Sequence, residues 1–168
     1  MMYLLHVNVE ESISYRDFFK RDNAMTNSEV SCAIGKSFSK DLLLTKEDII
    51  EQAAFCGDEN FIHHDEDRSL NTRFGGVIAS GSAISSIYSA MIPTYFSKIA
   101  NILGLEMSFQ FKAPIYPDIR YSMSWMIESV AGDLNGTGKI VCLTGTIRDS
   151  EQKTQVMAQA KIMLLSTL

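Results

Sequence analysis

The sequence predicts an α+β protein in which an antiparallel sheet packs around one long helix. Two patterns favour this class: a strong helical period in the middle of the chain, and four runs of alternating apolar residues after Gly104 joined largely by short turns. Such a sheet needs its apolar face covered, and only one long helix is available to cover it. We therefore expect an exposed edge or face that favours a homodimer or a larger homo-oligomer.

Length and composition predict one globular domain, residues 32–168, after an irregular leader at residues 1–31. A net charge of −5 argues against a general nucleic-acid binder. The chain has neither an apolar run of membrane-spanning length nor the basic lead-in and cleavage site of a secretory signal. Its three cysteines are widely spaced, which indicates reduced thiols in a cytoplasmic protein rather than disulfides or a zinc knuckle.

A short strand and then a helix are predicted at the start of the domain. Ser37–Leu44 is partly apolar and reads as the strand. Thr45 can cap the helix, with Asp48 as its capping-box partner, and Gly57 stands where a glycine commonly ends a helix. The apolar face of this helix is predicted at Ile49, Ile50, Ala53 and Ala54.

The long helix is predicted to begin near Gly81–Ser82. Small residues keep it slim, so that it can lie close against a sheet. Pro93 lacks a backbone N–H, and we expect it to kink the helix or to start a second one through Ile99. The apolar stripe consists of Ile84, Ile87, Tyr88 and Met91.

Four strands follow. The first alternates at Leu105, Met107, Phe109 and Phe111, and the second at Tyr121, Met123, Trp125 and Ile127. Lys139–Arg148 and Thr154–Leu164 are the other two, with turns predicted at Asn135-Gly136 and at Asp149–Gln152. The buried face of the last strand is predicted at Val156, Ala158, Ala160, Ile162 and Leu164.

The segment Asp58–Asp67 concentrates carboxylates and two of the three histidines directly after the first helix. A carboxylate and an imidazole on one turn can share a water molecule and exchange protons with a substrate. On a continuous helix Asp58 and His63 would point roughly 140° apart. They can converge only where the backbone is not helical, which Gly57 and Asn60 favour.

Two other interpretations of this segment remain open from the residues alone. It can be a solvated acidic loop in which Asp58 or Asp65 caps a following turn. It can also be a metal site built from Asp58, His63, His64 and Asp65, although no recognised ligand spacing supports one.

Five segments, which follow one another along the chain in the family's order, resemble the MaoC-like dehydratases and (R)-specific enoyl-CoA hydratases, over roughly Ile34 to the C-terminus. Gly57–His63 (GDENFIH) resembles the family signature G-D-x-N-P-x-H, with Phe61 in place of proline. Ile34-Gly35 and Thr45–Ile49 resemble the approach to that signature, and Phe74–Gly81 (FGGVIASG) resembles the segment that opens the central helix. Phe111–Asp118 (FKAPIYPD) is similar to F-x-x-P-V-x-P-G-D without its glycine, and Ser80 stands where many members have histidine.

The resemblance implies a hotdog fold, usually dimeric or duplicated, that takes acyl thioesters of coenzyme A or acyl carrier protein at the subunit interface, without a cofactor or metal. It implies that Asp58 and His63 hold the water that attacks the β-carbon of a trans-2-enoyl thioester, or that leaves in the reverse dehydration. Gly81, at a helix start with free N–H groups, is expected to stabilise the enolate beside Ser80. Asn60 is expected mainly to form the turn, with substrate contact secondary.

Two other functions compete: a non-catalytic acyl-thioester-binding module, favoured by Phe61 and the leader, and a hotdog thioesterase. His6 and His64 receive no role beyond surface or packing. The candidates to meet phosphate groups of a substrate are Arg68, Arg73, Lys98 and Lys112, although surface basic residues are usually only solvated.

Overall fold

The computed structural model describes residues 30–132 and 138–165. The predicted leader, apart from its last two residues, the Asn135-Gly136 turn and His6 lie outside the described residues. Within them, no helix is long and apolar enough to cross a bilayer. The elements are β1 (Ser37–Leu42), α1 (Lys46–Phe55), a 3-10 turn (Phe61–His63), α2 (Glu66–Leu70), α3 (Gly81–Phe96), β2 (Asn101–Phe111), β3 (Tyr121–Ala131), β4 (Gly138–Arg148) and β5 (Thr154–Leu165).

The five strands form one antiparallel sheet in the order β1-β3-β4-β5-β2, with α3 on one face. The predicted α+β architecture is therefore confirmed. The alternation in β3 and β5 predicted the buried face correctly, because the side chains of a strand point to opposite faces in turn. Every residue predicted to face inward on these two strands is buried.

The interface between α3 and the middle of the sheet is closed by aromatic rings. Tyr88 stacks on Trp125 with ring centroids 4.5 Å apart, and the Trp125 indole N–H donates to the Tyr88 carbonyl oxygen at 3.1 Å. Gly145 of β4 makes room for both, since a Cβ there would overlap the Tyr88 hydroxyl and lie 2.7 Å from Cε3 of Trp125. Helix and sheet approach so closely here that only a residue without a side chain fits.

The start of α1 has the predicted capping box. The Thr45 hydroxyl accepts from the Asp48 amide at 3.1 Å, and the Thr45 amide donates to the Asp48 carboxylate at 2.9 Å. These two bonds satisfy two of the donors that a helix leaves unpaired at its amino end. Beyond the last turn, Gly57 has a φ of +70°, a left-handed conformation that strongly favours glycine.

The predicted apolar face of α1 is only partly right. Ile49 and Ala53 are buried, but Ala54 is exposed. Asp48 and Gln52 are buried in its place, because the face that packs is rotated toward the capping residue.

Of the two outcomes expected at Pro93, the start of a second helix through Ile99 is wrong. α3 continues through Pro93 to Phe96, and no second helix runs to Ile99. Pro93 is exposed in the last turn, so the carbonyl that loses its N–H partner is near solvent. The apolar residues on either side stay buried and hold the helix together: Met91, Ile92, Tyr95 and Phe96.

β2 is an edge strand, and its apolar residues are not buried as those of β3 and β5 are. A bulge between Gly104 and Glu106 shifts its register against β5. Phe109 packs against the core, but Leu105, Met107 and Phe111 are 47%, 37% and 51% exposed. On this edge of the sheet the three side chains remain partly open to solvent, unlike the inward-facing side chains of β3 and β5.

Candidate active site

The loop after α1 brings Asp58 and His63 together. The left-handed Gly57 turns the chain, Asn60 is extended, and the 3-10 turn Phe61–His63 presents the imidazole back toward the helix end. Nε2 of His63 lies 3.5 Å from Oδ2 of Asp58. The backbone between the two residues is non-helical, as their convergence requires.

His63 is held in a defined orientation. Its side chain is 8% exposed, and Nδ1 lies 2.7 Å from the carbonyl oxygen of Ile78. A carbonyl oxygen can only accept, so the proton is on Nδ1. When the ring is neutral, Nε2 therefore carries the lone pair and faces the Asp58 carboxylate.

The Asp58 carboxylate accepts from two donors. The Ser80 hydroxyl donates to Oδ2 at 2.7 Å, and the Asn60 amide donates to Oδ1 at 3.2 Å. The bond from Ser80 is the largest influence and lowers the pKa of Asp58; partial burial opposes it, and the Asn60 amide and the two neighbouring histidines, His63 and His64, add to the lowering. The carboxyl is therefore ionised at neutral pH.

Ser80 precedes α3 as its N-cap residue, but its side chain does not cap the helix. The hydroxyl is used by Asp58 and by the Ser82 hydroxyl, 2.6 Å away. No described residue accepts a hydrogen bond from the Gly81 or Ser82 amide. The amino end of α3 thus keeps free N–H groups and the positive end of the helix dipole beside the Asp58/His63 pair.

A cavity of about 340 Å³ lies next to this pair. His63 and Gly81 line it together with apolar side chains, among them Ile84, Phe111 and Ile115. The Phe111 ring closes one wall, since its Cζ lies 3.2 Å from where a Cβ on Gly81 would be. The cavity is thus bounded by the His63 imidazole, the amino end of α3 at Gly81 and an apolar wall, whereas Asp58 is not among its lining residues and adjoins it through His63.

A second cavity of about 480 Å³ adjoins the first and shares Arg73, Phe74 and Lys112 with it. Lys153 lines its far side. None of these three cations pairs with a carboxylate in the part of the chain that the structure describes. The Asp149 carboxylate also lines the second cavity, where it accepts from the Glu151 and Lys153 amides and from the Gln155 side chain. Three cations therefore stand against one carboxylate here, in a chain whose net charge is −5.

Two of the four predicted phosphate contacts lie elsewhere. The Arg68 guanidinium is 4.1 Å above the Phe61 ring, and its Nε lies 3.9 Å from Asp65. Lys98 follows the carboxyl end of α3, away from Gly81 at the amino end.

Asn60 forms the turn rather than the cavity wall. It is exposed, and its side-chain oxygen accepts from the Ile62 amide at 3.5 Å, at the start of the 3-10 turn. Its amide also holds Asp58, as described above. Of the residues expected to contact substrate, Gly81 lines the cavity, whereas Ser80 and Asn60 contact Asp58.

Two of the four possible metal ligands, Asp65 and His64, are engaged in other hydrogen bonds. Asp65 caps α2 by accepting from the Arg68 amide at 3.0 Å, and His64 donates through Nε2 to the Asp58 carbonyl oxygen. Over residues 30–132 and 138–165, no group of three or more His, Cys, Asp or Glu side chains could hold a metal ion.

Sequence reasoning missed three contributors. The Ser80 hydroxyl reaches a carboxylate 22 residues earlier, a pairing that no local pattern signals. His64 was given no role although it bonds to Asp58. Lys153 joins Arg73 and Lys112 only because the β4–β5 turn folds next to the end of β2.

A profile of the family described as "MaoC like domain" matches residues 30–146. An uncharacterized Bacillus subtilis protein, YdeM, is 37% identical over 90 residues, which are 51% of this chain and 62% of YdeM. The match thus spans less than two thirds of that relative.

Solved structures share the fold. An (R)-hydratase from A. caviae involved in PHA biosynthesis matches with a TM-score of 0.70 and 20% identity, covering 79% of this chain and 96% of the other. The R-hydratase PhaJ1 from Pseudomonas aeruginosa matches with a TM-score of 0.68 and 20% identity, covering 80% of this chain and 83% of the other. A chain of the 3R-hydroxyacyl-ACP dehydratase complex HadBC of Mycobacterium tuberculosis matches with a TM-score of 0.66 and 14% identity, covering 80% of this chain and 99% of the other. These matches confirm the predicted hotdog fold.

Proposed function

This chain belongs to the MaoC-like domain family, and on that premise we propose that it reversibly hydrates trans-2-enoyl thioesters, or dehydrates the corresponding 3-hydroxyacyl thioesters. The observation that carries the proposal is the facing of Asp58 and His63 beside an apolar cavity at the amino end of α3. Structurally similar proteins include (R)-hydratases and a 3R-hydroxyacyl-ACP dehydratase, which is consistent with it.

The water molecule is held between two acceptors. The ionised Asp58 and the unprotonated Nε2 of His63 are 3.5 Å apart, which is longer than a good direct hydrogen bond. One water molecule that donates a proton to each of them satisfies both groups. Its oxygen lone pair is then free to attack the β-carbon of an enoyl chain in the cavity.

The protons balance within this pair. As the water oxygen bonds to the β-carbon, one proton passes to Asp58 or His63, and a proton from the pair goes to the α-carbon. The pair ends the reaction in the protonation state in which it began. Dehydration is the same sequence in reverse.

The negative charge that develops on the thioester oxygen needs a donor fixed in advance. The free amides of Gly81 and Ser82 lie at the positive end of α3 and require no rearrangement to bind it. Ser80 supports this role indirectly, because its hydroxyl is engaged with Asp58 and leaves the amides uncapped.

The carrier of the acyl group, coenzyme A or an acyl carrier protein, is proposed to lie along the second cavity. Both carriers end in a pantetheine arm that bears phosphate. Arg73, Lys112 and Lys153 outnumber the one carboxylate of this lining, Asp149, and none of the three forms an ion pair among the described residues. This supports an anionic arm leaving the first cavity on that side.

A second copy of the chain is proposed to cover the edge at β2. Among the described strands β2 has one unpaired side, and four of its apolar side chains, Leu103, Leu105, Met107 and Phe111, are more than a third exposed. Phe111 is one of them and also lines the cavity, so a partner on this edge would complete the cavity wall. Sedimentation of the purified protein should give twice the monomer mass, whereas a single-chain mass would refute the dimer.

The test is a hydration assay with crotonyl-CoA and longer trans-2-enoyl-CoAs, followed by loss of the enoyl absorbance. We expect Asp58→Asn and His63→Gln each to lower kcat by about 100- to 10,000-fold, with unfolding temperatures close to the parent. Asp67→Asn, an exposed carboxylate on α2, is the matched control and should keep parent activity.

Each of the other outcomes would indicate a different function for this protein. Near-parent activity of both site variants would refute the assigned pair. Acyl-CoA binding without turnover would favour a non-catalytic module, and release of free thiol would favour a thioesterase.

A further inference from the structure

His64 lines neither of the two cavities and bonds to the backbone of the loop that carries Asp58. Its Nε2 donates to the Asp58 carbonyl oxygen, six residues back along the chain. A carbonyl oxygen only accepts, so His64 carries its proton on Nε2, whereas its neighbour His63 carries it on Nδ1. The two adjacent histidines thus make separate bonds, one on each side of the loop.

This bond is a side-chain tie between the two ends of the loop. The later part is fixed around Phe61, whose ring lies under the Arg68 guanidinium and whose carbonyl accepts from the Ser69 hydroxyl at 3.3 Å. Asn60 is joined to that part by the His63 amide, which donates to its carbonyl oxygen at 3.0 Å, and the Asp58 amide donates to the Ala53 carbonyl oxygen at the end of α1. The Asp58 carbonyl oxygen has His64 as its partner, so this bond ties the backbone of Asp58 directly to the anchored part.

Phe61 explains why such a bond is needed. The family signature has proline here, whose ring fixes one backbone dihedral angle, and phenylalanine leaves that angle free. The local backbone is still compatible with proline. Phe61 is the first residue of the 3-10 turn, Asn60 before it is extended (φ −66°, ψ 121°), and no described residue accepts from the Phe61 amide.

We propose that His64 is a positioning residue: its bond to the Asp58 carbonyl oxygen holds the carboxylate against Ser80 and His63 and replaces the restraint that a proline would give. The inference rests on the proposed hydratase function. A water molecule shared across 3.5 Å tolerates little movement of either partner. A displacement of about 1 Å can cost on the order of 100-fold in rate.

The experiment compares two substitutions of equal length. His64→Met removes the donor, and His64→Gln keeps an N–H donor at a similar reach. We expect His64→Met to lower kcat by about 10- to 100-fold, with KM within about twofold because the cavity walls are unchanged, and we expect His64→Gln to stay close to the parent. Glu59→Gln, exposed in the same loop, is the control for a change of loop side chain.

The acid side of the pH profile separates positioning from simple structural support. Asp58 faces Ser80 and Asn60 as hydrogen-bond donors and His63 and His64 as the neighbouring titratable groups. If the carboxylate drifts from Ser80 in His64→Met, its pKa rises and the acid limb of kcat/KM moves to higher pH. A purely structural role would lower the unfolding temperature and leave that limb in place.

A double variant tests the replacement of proline directly. Phe61→Pro in the His64→Met background should recover at least half of the lost log kcat. The same double variant keeps the proposal testable if His64→Met alone folds poorly. Parent kcat and parent acid limb in His64→Met, or equal damage in the Met and Gln variants, would overturn the inference. Such a result beside an inactive Asp58→Asn leaves the proposed function standing, whereas an active Asp58→Asn refutes that function itself.

Discussion

The helix–sheet interface behind the cavity and the Asp58 loop in front of it are held by different forces. Behind the cavity, Tyr88, Trp125 and the bare backbone of Gly145 fill the space with fully buried rings. In front, Asp58 is held by individual hydrogen bonds from Ser80 and Asn60 at a partly exposed site. A change behind the cavity should therefore alter the free energy of unfolding, whereas a change in front should alter chemistry.

The largest expected effect is on the free energy of unfolding, through a substitution at the interface between α3 and the sheet. Trp125→Ala removes a fully buried indole and its bond to the Tyr88 carbonyl, which should lower the free energy of unfolding by about 3–5 kcal/mol. Chemical denaturation monitored by far-ultraviolet circular dichroism measures the loss. If the variant keeps parent stability and loses turnover instead, the division between the two regions fails.

Ser80→Ala should show the opposite pattern. Without the Ser80 hydroxyl, the pKa of Asp58 rises toward its ordinary value, so the acid limb of kcat/KM moves to higher pH. The stability that a depressed carboxyl pKa contributes is present above the pKa of the unfolded chain and is lost as pH falls through the folded value. The variant should therefore also lose less stability on acidification than the parent does.

Ser80→Thr is the control for that experiment, because it keeps the hydroxyl. Its acid limb should remain near the parent position. Equal acid limbs in the alanine variant and the parent would mean that Ser80 does not set the ionisation of Asp58.

The smallest effect is expected at the passage between the cavities. Arg73→Gln combined with Lys112→Gln should raise KM for crotonyl-CoA by about 5- to 30-fold, as expected for two partly exposed charged contacts of about 0.5–1 kcal/mol each. Crotonyl-N-acetylcysteamine carries no phosphate, and its KM should not change. Equal changes for both substrates would show that the cations do not meet the carrier, and no change for either would place the carrier elsewhere.

Local patterns predicted most of the fold, because strand alternation and helix caps act over a few residues. The capping box at Thr45 and the buried faces of β3 and β5 are such cases. The second helix expected after Pro93 does not form. Whether a helix continues through a proline depends on what packs against it, and so does the covering of apolar residues on an edge strand such as β2, and a local sequence pattern shows neither.

The site was predictable to the extent that its residues lie within one loop. Asp58 and His63 could be paired because a glycine and a turn-forming asparagine separate them from the helix. The hydrogen bond from Ser80 to Asp58 could not be predicted, since a contact between residues 22 positions apart depends on how α1 lies against α3. The tautomers of His63 and His64 likewise follow from carbonyl oxygens that only the folded chain brings near.

Phe111 belongs both to the cavity wall and to the open edge of β2, so association and ligand affinity would be thermodynamically linked in the proposed dimer. If the second copy tightens acyl binding by some factor, a bound acyl chain must tighten the dimer by the same factor. Dilution would then lower specific activity, and substrate would restore it by mass action. One phenylalanine ring would couple the concentration of the protein to the concentration of its substrate.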